Sequence, residues 1–413
     1  MRTAWRPQAS ATMDAVLDRR GNSIGFLRFA LAALVILHHS FVLSGHRDPL
    51  DRFTHGDLDL GNIAVAGFFV LSGFLITRSA ERAPSIWRYL WHRVLRIFPG
   101  FWVCLIVCAA VLGPLFWLVE RGSVGGYAGI SENPPLGYVA ANAGLFINQT
   151  RIDGLLAGLP YPFGINGSLW TLSYEFSWYL ITGALAVAGV LRGRWLAVVV
   201  IALLVAPQAL TGGHPLSGVP LFGYGLLSRY ALAFSLGILA YVWRDRVPLD
   251  DRLAVLAGAL FLVSIVTKTV PMVGIPALAY LVLWAAWRLP LRRFDARWDI
   301  SYGVYIYAFP VQQGLALVGA AVLPVPVLFP VAVAATIPFA FASCVLIEQP
   351  ALRLKHWTPG RAGTRPAEPP IPANEPAPRP VAAANAVTAA NAVTAVGKGQ
   401  AASPIPTAPI PGE

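Results

Sequence analysis

A series of long apolar runs, separated by short polar loops, constrains this chain more than any other feature of its sequence. The hydrocarbon core of a bilayer is about 30 Å thick, and about 20 apolar residues of α-helix cross it. Runs of this kind favour helices, because a helix satisfies its backbone hydrogen bonds internally. We predict an all-α, polytopic integral membrane protein with about ten transmembrane helices. The predicted spans are 26–44, 60–77, 97–119, 165–191, 195–210, 221–243, 253–267, 270–287, 300–322 and 325–347.

The composition agrees with this class. Of 413 residues, 56% are hydrophobic and 12% are charged, whereas soluble domains carry about 25% charged residues. The mean hydropathy is +0.61. Cys104, Cys108 and Cys344 all lie in apolar runs. Their spacing matches neither a metal site nor a disulfide framework, so we interpret them as small core residues and expect no metal.

The positive charge of the chain predicts its orientation. The net charge is +11, but the basic residues lie in short clusters between apolar runs. This distribution argues against nucleic-acid binding. The loops predicted on one side of the membrane hold 14 Lys and Arg residues, and those on the other side hold five. The positive-inside rule therefore predicts a multi-pass protein of the cell inner membrane with both termini in the cytoplasm.

The two ends of the chain differ from the middle. Residues 1–22 are polar and are interpreted as a cytoplasmic lead, followed by a membrane domain at 23–357. Residues 358–413 are rich in Pro and Ala, and the hexamer AANAVT occurs twice, at 383–388 and 389–394. A segment of this composition cannot bury a core, so we predict a disordered tail.

The first span places two ionisable side chains on one helix face. Arg28 and His39 are 11 positions apart in RFALAALVILHH. They therefore lie within about 20° of each other around the axis and about 16 Å apart along it, whereas His38 falls about 80° away. Ionisable groups inside a span are costly and often functional. The alternative is a histidine that only hydrogen-bonds between helices.

Glu175 is the second ionisable group predicted inside the membrane. Counted by helical rise from opposite surfaces, Glu175 lies about 15 Å deep and His39 about 20 Å deep, so we expect them near the same level. A carboxylate beside an imidazole orients the ring and raises its basicity. We predict His39 and Glu175 as catalytic residues; the alternative is a buried ion pair that joins two helices.

Arginines are the candidate ligands for a phosphorylated cofactor. Arg93 and Arg96 are spaced i, i+3 and share one helix face, and Arg28 is predicted at the same inner level. Guanidinium groups bind phosphates through a fixed fork of donors. The alternative is ordinary positive-inside charge. Arg229 lies about eight residues into its span, and we predict that it binds substrate together with Trp170 and Asn166 of the Glu175 stretch.

Six stretches, in this order, resemble acyltransferase family 3, a family of integral-membrane O-acyltransferases. The resemblance covers roughly 22–357, with arginine and histidine separated by ten residues in the first stretch. Two positions depart from the family pattern: Ala66 stands where an acidic residue is frequent, and Ala308 where a histidine is frequent. The matching stretches are RFALAALVILHH, GFFVLSGFLIT, RVLRIFPGFW, NGSLWTLSYEFSWYL, ISYGVYIYAFPVQQ and IEQPALRL.

The resemblance implies a function. It predicts transfer of an acyl group, with acetyl expected, from acyl-CoA to a hydroxyl of a glycan or glycolipid. It selects His39 as the essential histidine, with Arg28 upstream, and implies roles for Arg93, Arg96 and Glu175. One alternative is a tailoring acyltransferase for a secondary metabolite. Another is a transporter or flippase for lipid-linked sugars, which the lack of a visible inverted repeat disfavours.

Overall fold

We analysed a computed structural model of the chain, which describes residues 11–17, 22–129, 131–210, 230–291 and 298–357. Arg229 and the predicted tail at 358–413 lie outside these residues, as does most of the polar lead. Helices form nearly all of the regular structure in the described ranges, which confirms the predicted all-α class. The α-helices are Ile24–Leu43 (α1), Pro49–Phe53 (α2), Leu60–Arg82 (α3), Ile86–Val107 (α4), Gly113–Arg121 (α5), Pro135–Asn142 (α6), Thr171–Val187 (α7), Arg194–Leu210 (α8), Ala231–Val242 (α9), Asp251–Val266 (α10), Ile275–Arg288 (α11), Ser301–Leu317 (α12), Val325–Ser343 (α13) and Gln349–Arg353 (α14).

Short irregular turns extend or join these helices. Within the described residues, the β-structure is one antiparallel pairing between β1 (Ala11–Thr12) and β2 (Pro248–Leu249). It fixes the end of the polar lead to the bundle. The 3₁₀ turns are Met13–Leu17, Val190–Arg192, Ala320–Val322 and Leu354–His356, and the π turns are Cys108–Leu112, Val270–Gly274 and Cys344–Glu348.

The longer helices overlap the predicted spans. Each predicted span contains a helix in its described part, and five continuous helical segments are long and apolar enough to cross a membrane. Other helices in these positions are shorter, such as α9 with 12 residues and α7 with 17. The protein is therefore a multi-pass membrane protein. The five long segments are Ile24–Leu43, Leu60–Arg82, Ile86–Arg121, Val270–Arg288 and Val325–His356.

The central helix of the bundle is α3, which packs between α1 and α9. At its crossing with α9, a Cβ added to Gly73 would lie 2.1 Å from the carbonyl oxygen of Phe234. A Cβ added to Gly237 would lie 2.3 Å from the carbonyl oxygen of Val70. Small residues let two membrane helices approach closely. Gly73, in the GFFVLSGFLIT stretch, is such a site of close packing between helices.

Helix α1 defines two ends of the bundle. It begins near Arg28, and we call that side the arginine end. It ends near His38 and His39, and we call that side the histidine end. Helix α3 runs the opposite way: its first turn, at Gly61, packs against His38, and its last residue, Arg82, lies toward the arginine end.

The segment 160–170 enters the bundle without helical structure. It follows α12 from the histidine end inwards, and side chains of α12 bind its backbone. The Gln313 amide donates to the carbonyl oxygens of Tyr161 and Gly164 at 3.0 and 2.9 Å, and the Tyr305 hydroxyl donates to that of Ser168 at 3.1 Å. Irregular backbone is tolerated at membrane depth only when it is buried in protein and hydrogen-bonded. Helix α7 therefore begins inside the bundle, at Thr171 rather than at 165.

Candidate functional site

Two of the predicted arginines meet a carboxylate that the sequence analysis did not single out. Asp299, just before α12, accepts hydrogen bonds from Arg28 at 2.5 Å and from Arg96 at 3.0 Å. Arg96 also lies 3.7 Å from Glu348. Two positive and two negative groups thus balance each other at the arginine end. The IEQP stretch of the resemblance contains Glu348, but no sequence signal pairs it with Arg96.

The electrostatic state of Asp299 follows from these neighbours. Burial by itself raises the pKa of a carboxyl group. The charges of Arg28 and Arg96 outweigh that effect and hold the pKa of Asp299 well below its ordinary value. The carboxylate also accepts hydrogen bonds from the backbone and hydroxyl of Ser301. Asp299 is therefore ionised at neutral pH.

Arg93 differs from the other two predicted arginines. Within the described residues, no carboxylate pairs with its guanidinium. The group lies 6.0 Å from the ring centre of Tyr89 and 5.7 Å from that of Tyr179, and it donates a long hydrogen bond of 3.4 Å to Ser79. Its Nε is buried without a partner in the described part of the chain. Of the three, Arg93 is the arginine that no carboxylate neutralises in the described part of the chain.

A cavity of about 310 Å³ connects these residues with the interior. All three arginines line it, and His92 and Lys355 join them at the arginine end. The α3 residues that line it extend from Val65 to Ile76, which is about 16 Å of helix. The cavity is therefore cationic at one end and apolar deeper in the bundle.

Glu175 lies in the wall of this cavity, away from the histidines. Its Oε1 accepts hydrogen bonds from the hydroxyls of Ser72 at 2.7 Å and Tyr179 at 2.5 Å. Ser72 is 11 residues along α3 from Gly61, which packs against His38, so the two levels differ by about 16 Å. The expected contact between Glu175 and His39 is wrong. The reason is that 160–170 enters the bundle before α7 begins, which moves Glu175 toward the arginine end.

His39 instead faces aromatic side chains. Its ring meets that of Phe309 edge-on, with 4.8 Å between ring centres. Its Nδ1 is buried and has no hydrogen-bond partner among the described residues. One turn of α12 away, toward the arginine end, Tyr305 packs edge-on against Phe68 at 5.8 Å and hydrogen-bonds to Thr171 at 2.5 Å. Phe68 and Tyr305 line the cavity, whereas Phe309 contacts His39, and we call these three rings the aromatic layer.

The carboxylate-paired histidine is His38. Its Nδ1 lies 2.8 Å from Asp48 and 3.8 Å from Asp59. The side chain of Asp48 is completely buried, whereas 19% of the His38 side chain is exposed. The loop 45–59 holds four aspartates, and the sequence alone pairs none of them with a histidine. The one available signal was Asp48 directly before Pro49, which is typical of a helix N-cap followed by proline.

The predicted substrate contacts at Asn166 and Trp170 lie next to α7. The Asn166 amide donates to the carbonyl oxygen of Ile306 at 2.9 Å, and its oxygen accepts from the backbone of Ser168 at 3.1 Å. These bonds hold the segment 160–170 in the bundle. Trp170 packs edge-on against Tyr174 at 5.4 Å. Arg229 lies outside the described residues, so its predicted role stays a prediction.

Comparison with protein families identifies the class. The family model described as an acyltransferase domain matches residues 22–347 of the chain. This protein belongs to acyltransferase family 3. It is therefore an acyltransferase that moves groups other than aminoacyl groups, and the resemblance inferred from the six stretches is confirmed.

Individual relatives agree with this membership. The acyltransferase is 29% identical to the O-acetyl transferase of Shigella phage Sf6 over 309 residues, which cover 71% of this chain and 85% of the relative. It is 28% identical to Nodulation protein 10 of Rhizobium leguminosarum bv. viciae over 377 residues, 81% of this chain and 94% of the relative. Acyltransferase MdmB of Streptomyces mycarofaciens is 29% identical over 121 residues, 29% of this chain and 27% of the relative. No solved structure matches the chain.

The two departures from the family pattern are buried in the acyltransferase. Ala66 and Ala308 are each 1% exposed. Alanine offers no group that titrates or donates a proton, so neither position contributes to acid–base chemistry here. At the histidine end, the titratable groups around α1 that the model describes include His38, His39, Asp48 and Asp59.

Proposed function

We propose that this enzyme transfers an acetyl group from acetyl-CoA to a hydroxyl of a glycan or glycolipid. The observation that carries the proposal is the cavity, which is cationic at the arginine end and stops at the aromatic layer below His39. A phosphorylated donor with a long, mostly apolar arm matches that shape. The positive-inside rule supports a cytoplasmic position of the arginine end in an inner-membrane enzyme, on the side where acyl-CoA is made.

In this proposal the arginine end binds the phosphates of the donor. Arg93 contributes most, because Asp299 and Glu348 already neutralise Arg28 and Arg96. Arg28 and Arg96 line the wall of the cavity beside it. Glu175 and Ser72, about half-way along α3, offer polar groups to the amides of the donor arm. The thioester reaches the aromatic layer next to His39.

His39 acts on the transferred group at the far side of that layer. It serves either as the base for the acceptor hydroxyl or as a transient carrier of the acyl group. Its buried, unpartnered Nδ1 shows no carboxylate that would orient it among the described residues. The glycan or glycolipid acceptor rests on the family resemblance, and the relative named O-acetyl transferase supports the transfer of an acetyl group to oxygen.

The experiment uses purified protein in lipid vesicles, labelled acetyl-CoA and a panel of acceptors. We expect label to appear on oxygen of glycans or glycolipids extracted from the host membrane. Label on a small secondary metabolite would contradict the glycan or glycolipid acceptor and would indicate a tailoring acyltransferase. Movement of a lipid-linked sugar across the vesicle membrane without acetyl-CoA consumption would contradict acyl transfer and support the transporter alternative.

A further inference from the structure

His38 and the buried carboxylate of Asp48 form a pair that the proposed function does not use. The pair resembles the arrangement in which a carboxylate fixes one nitrogen of an imidazole and leaves the other to accept a proton. We propose that His38, held by Asp48, is the general base that takes the proton of the acceptor hydroxyl. This inference rests on the proposed acyl transfer and names a residue that performs one of its steps.

The hydrogen bonds of Asp48 determine its role. One carboxylate oxygen accepts from the backbone N–H groups of Leu50 and Asp51, both at 2.9 Å. The other accepts from the backbone N–H of Leu60 at 3.2 Å and contacts His38 Nδ1 at 2.8 Å. A carboxylate with these partners accepts hydrogen bonds, so we assign the proton of the neutral ring to Nδ1, and Nε2 is then the acceptor.

Asp59 reinforces this arrangement from the start of α3. Its Oδ1 lies 3.8 Å from His38 Nδ1 and caps α3 by accepting from the backbone N–H of Asn62 at 2.6 Å. The negative charges of Asp48 and Asp59 therefore both face the same ring nitrogen. They stabilise the imidazolium that forms when Nε2 takes a proton.

His39 lacks these features, although it is the adjacent residue. The two rings lie 5.5 Å apart between centres, so both stand at the histidine end of the bundle. The ring of His39 packs against Phe309, and its Nδ1 has no partner among the described residues. No carboxylate contact orients it in the described part of the chain. In this proposal His38 accepts the proton of the acceptor hydroxyl, and His39 faces the acyl group.

His38, Asp48 and Asp59 could also be considered as ligands of a metal ion, but their contacts argue against a metal site. One ligand atom each from His38, Asp48 and Asp59 lies within 4.8 Å of the others. However, both oxygens of Asp48 already accept two hydrogen bonds or contacts each. A cation bound between these side chains would have to replace the contact between His38 Nδ1 and Asp48. The contacts therefore favour the base, and the experiment below includes a measurement of metal dependence.

Acyl transfer to the acceptor forms one bond to the acyl carbon and breaks another. The acceptor oxygen forms a bond to the acyl carbonyl carbon while its proton moves to Nε2 of His38. The bond between that carbon and its leaving group breaks, and the leaving group keeps the electron pair. The leaving group is the sulfur of CoA, or a nitrogen of His39 if that residue carries the acyl group. The proton on His38 later passes to solvent at the histidine end.

The decisive variant is Asp48→Asn, with Asp51→Asn as the matched control. Asn is as good an N-cap as Asp, so the variant keeps α2. Its amide no longer holds Nδ1 as the donor. Asp51 is in the same short helix but pairs with the exposed Arg47 at 2.5 Å. We expect Asp48→Asn and His38→Ala to lower kcat about a hundredfold to ten-thousandfold, with acetyl-CoA affinity unchanged. Asp51→Asn should retain wild-type turnover.

Chemical rescue separates a base from a structural residue. Added imidazole should restore part of the turnover of His38→Ala and none of that of His39→Ala. Turnover of His38→Ala near wild type, or a low turnover that imidazole does not raise, would overturn the proposal. Loss of wild-type activity on chelation, with recovery in added divalent metal, would overturn it in favour of a metal site. If wild-type protein transfers no acetyl group at all, the proposed function has failed rather than the role of His38.

Discussion

Asp299 is the residue that joins α1 and α4 at the arginine end. It neutralises Arg28 and Arg96, which otherwise stand as charged groups within the bundle. Removing one partner of a buried ion pair leaves an uncompensated charge, which costs more than the pair contributed. The carboxylate thus has a structural role that is independent of donor binding.

Asp299→Asn should therefore destabilise the fold. Because 29% of the side chain is exposed, we expect a loss of about 1–3 kcal/mol rather than the larger cost of a fully buried pair. The measurement is thermal unfolding of the purified protein in detergent. Asp245→Asn is the matched control, since Asp245 pairs with Arg194 and is 52% exposed. An equal effect of both substitutions would contradict the structural role of Asp299.

The lowered pKa of Asp299 predicts how this stability depends on pH. A carboxyl group whose folded-state pKa is depressed stabilises the fold above its unfolded-state pKa, and the contribution is lost as pH falls through the folded value. The difference in melting temperature between wild type and Asp299→Asn should therefore stay constant from neutral pH to about pH 5. A difference that disappears within this range would show that the carboxylate is not held ionised by the arginines.

Arg93 is the residue whose loss should weaken donor binding most directly. Arg93→Ala removes donors that no carboxylate occupies, and a hydrogen bond to a charged group contributes about 1.5–3 kcal/mol. We expect the Kd for acetyl-CoA to rise about tenfold or more, with a smaller rise at high salt. Arg82→Ala is the control, because Arg82 is exposed and does not line the cavity. Equal Kd values for Arg93→Ala and wild type would contradict the phosphate role.

Among the elements, the crossing of α3 and α9 has the tightest steric limit. Gly73→Ala places a Cβ against the backbone of Phe234, so the helices must separate. We expect a lower melting temperature and a lower yield of folded protein. Gly258→Ala in α10 meets nothing within 4 Å. There, the better helix propensity of Ala should leave stability unchanged or raise it by up to about 1 kcal/mol. Equal effects at the two positions would contradict the close approach.

The positions of the helices were predictable from the sequence, but the starting point of α7 was not. Apolar runs locate helices because burial in a bilayer requires them. Two side chains stabilise the segment 160–170 inside the bundle. Gln313, from α12, donates to the backbone of the segment, and Asn166, within the segment, donates to the backbone of α12. Its depth depends on those partners and not on local hydropathy. The error in the depth of Glu175 follows directly from this.

At the scale of the whole molecule, the candidate site was predicted in part. The sequence identified the arginines and the histidine pair, because ionisable residues stand out in apolar runs. It did not identify Asp299 or Asp48, since polar loops contain many carboxylates and only the tertiary fold selects a partner. The pairing of His38 rather than His39 has the same cause: it depends on where the loop after α1 folds back.

The orientation of the molecule makes a separate prediction. His55→Cys, at the histidine end, should react with a membrane-impermeant thiol reagent in intact cells. Arg82→Cys, at the arginine end, should react only after the membrane is opened. Cys104, Cys108 and Cys344 are buried, so the wild-type background should be low. The reverse labelling pattern would invert the topology and would place the arginine end of the cavity away from cytoplasmic acyl-CoA.

The central claim is acyl transfer that depends on the histidine end of the bundle. The most direct measurement compares transfer of label from acetyl-CoA to extracted glycolipid by wild type and His39→Ala, at equal amounts of folded protein. The account predicts transfer by the wild type and a loss of about a hundredfold or more in His39→Ala, with acetyl-CoA binding retained. Transfer by His39→Ala at the wild-type rate would contradict it.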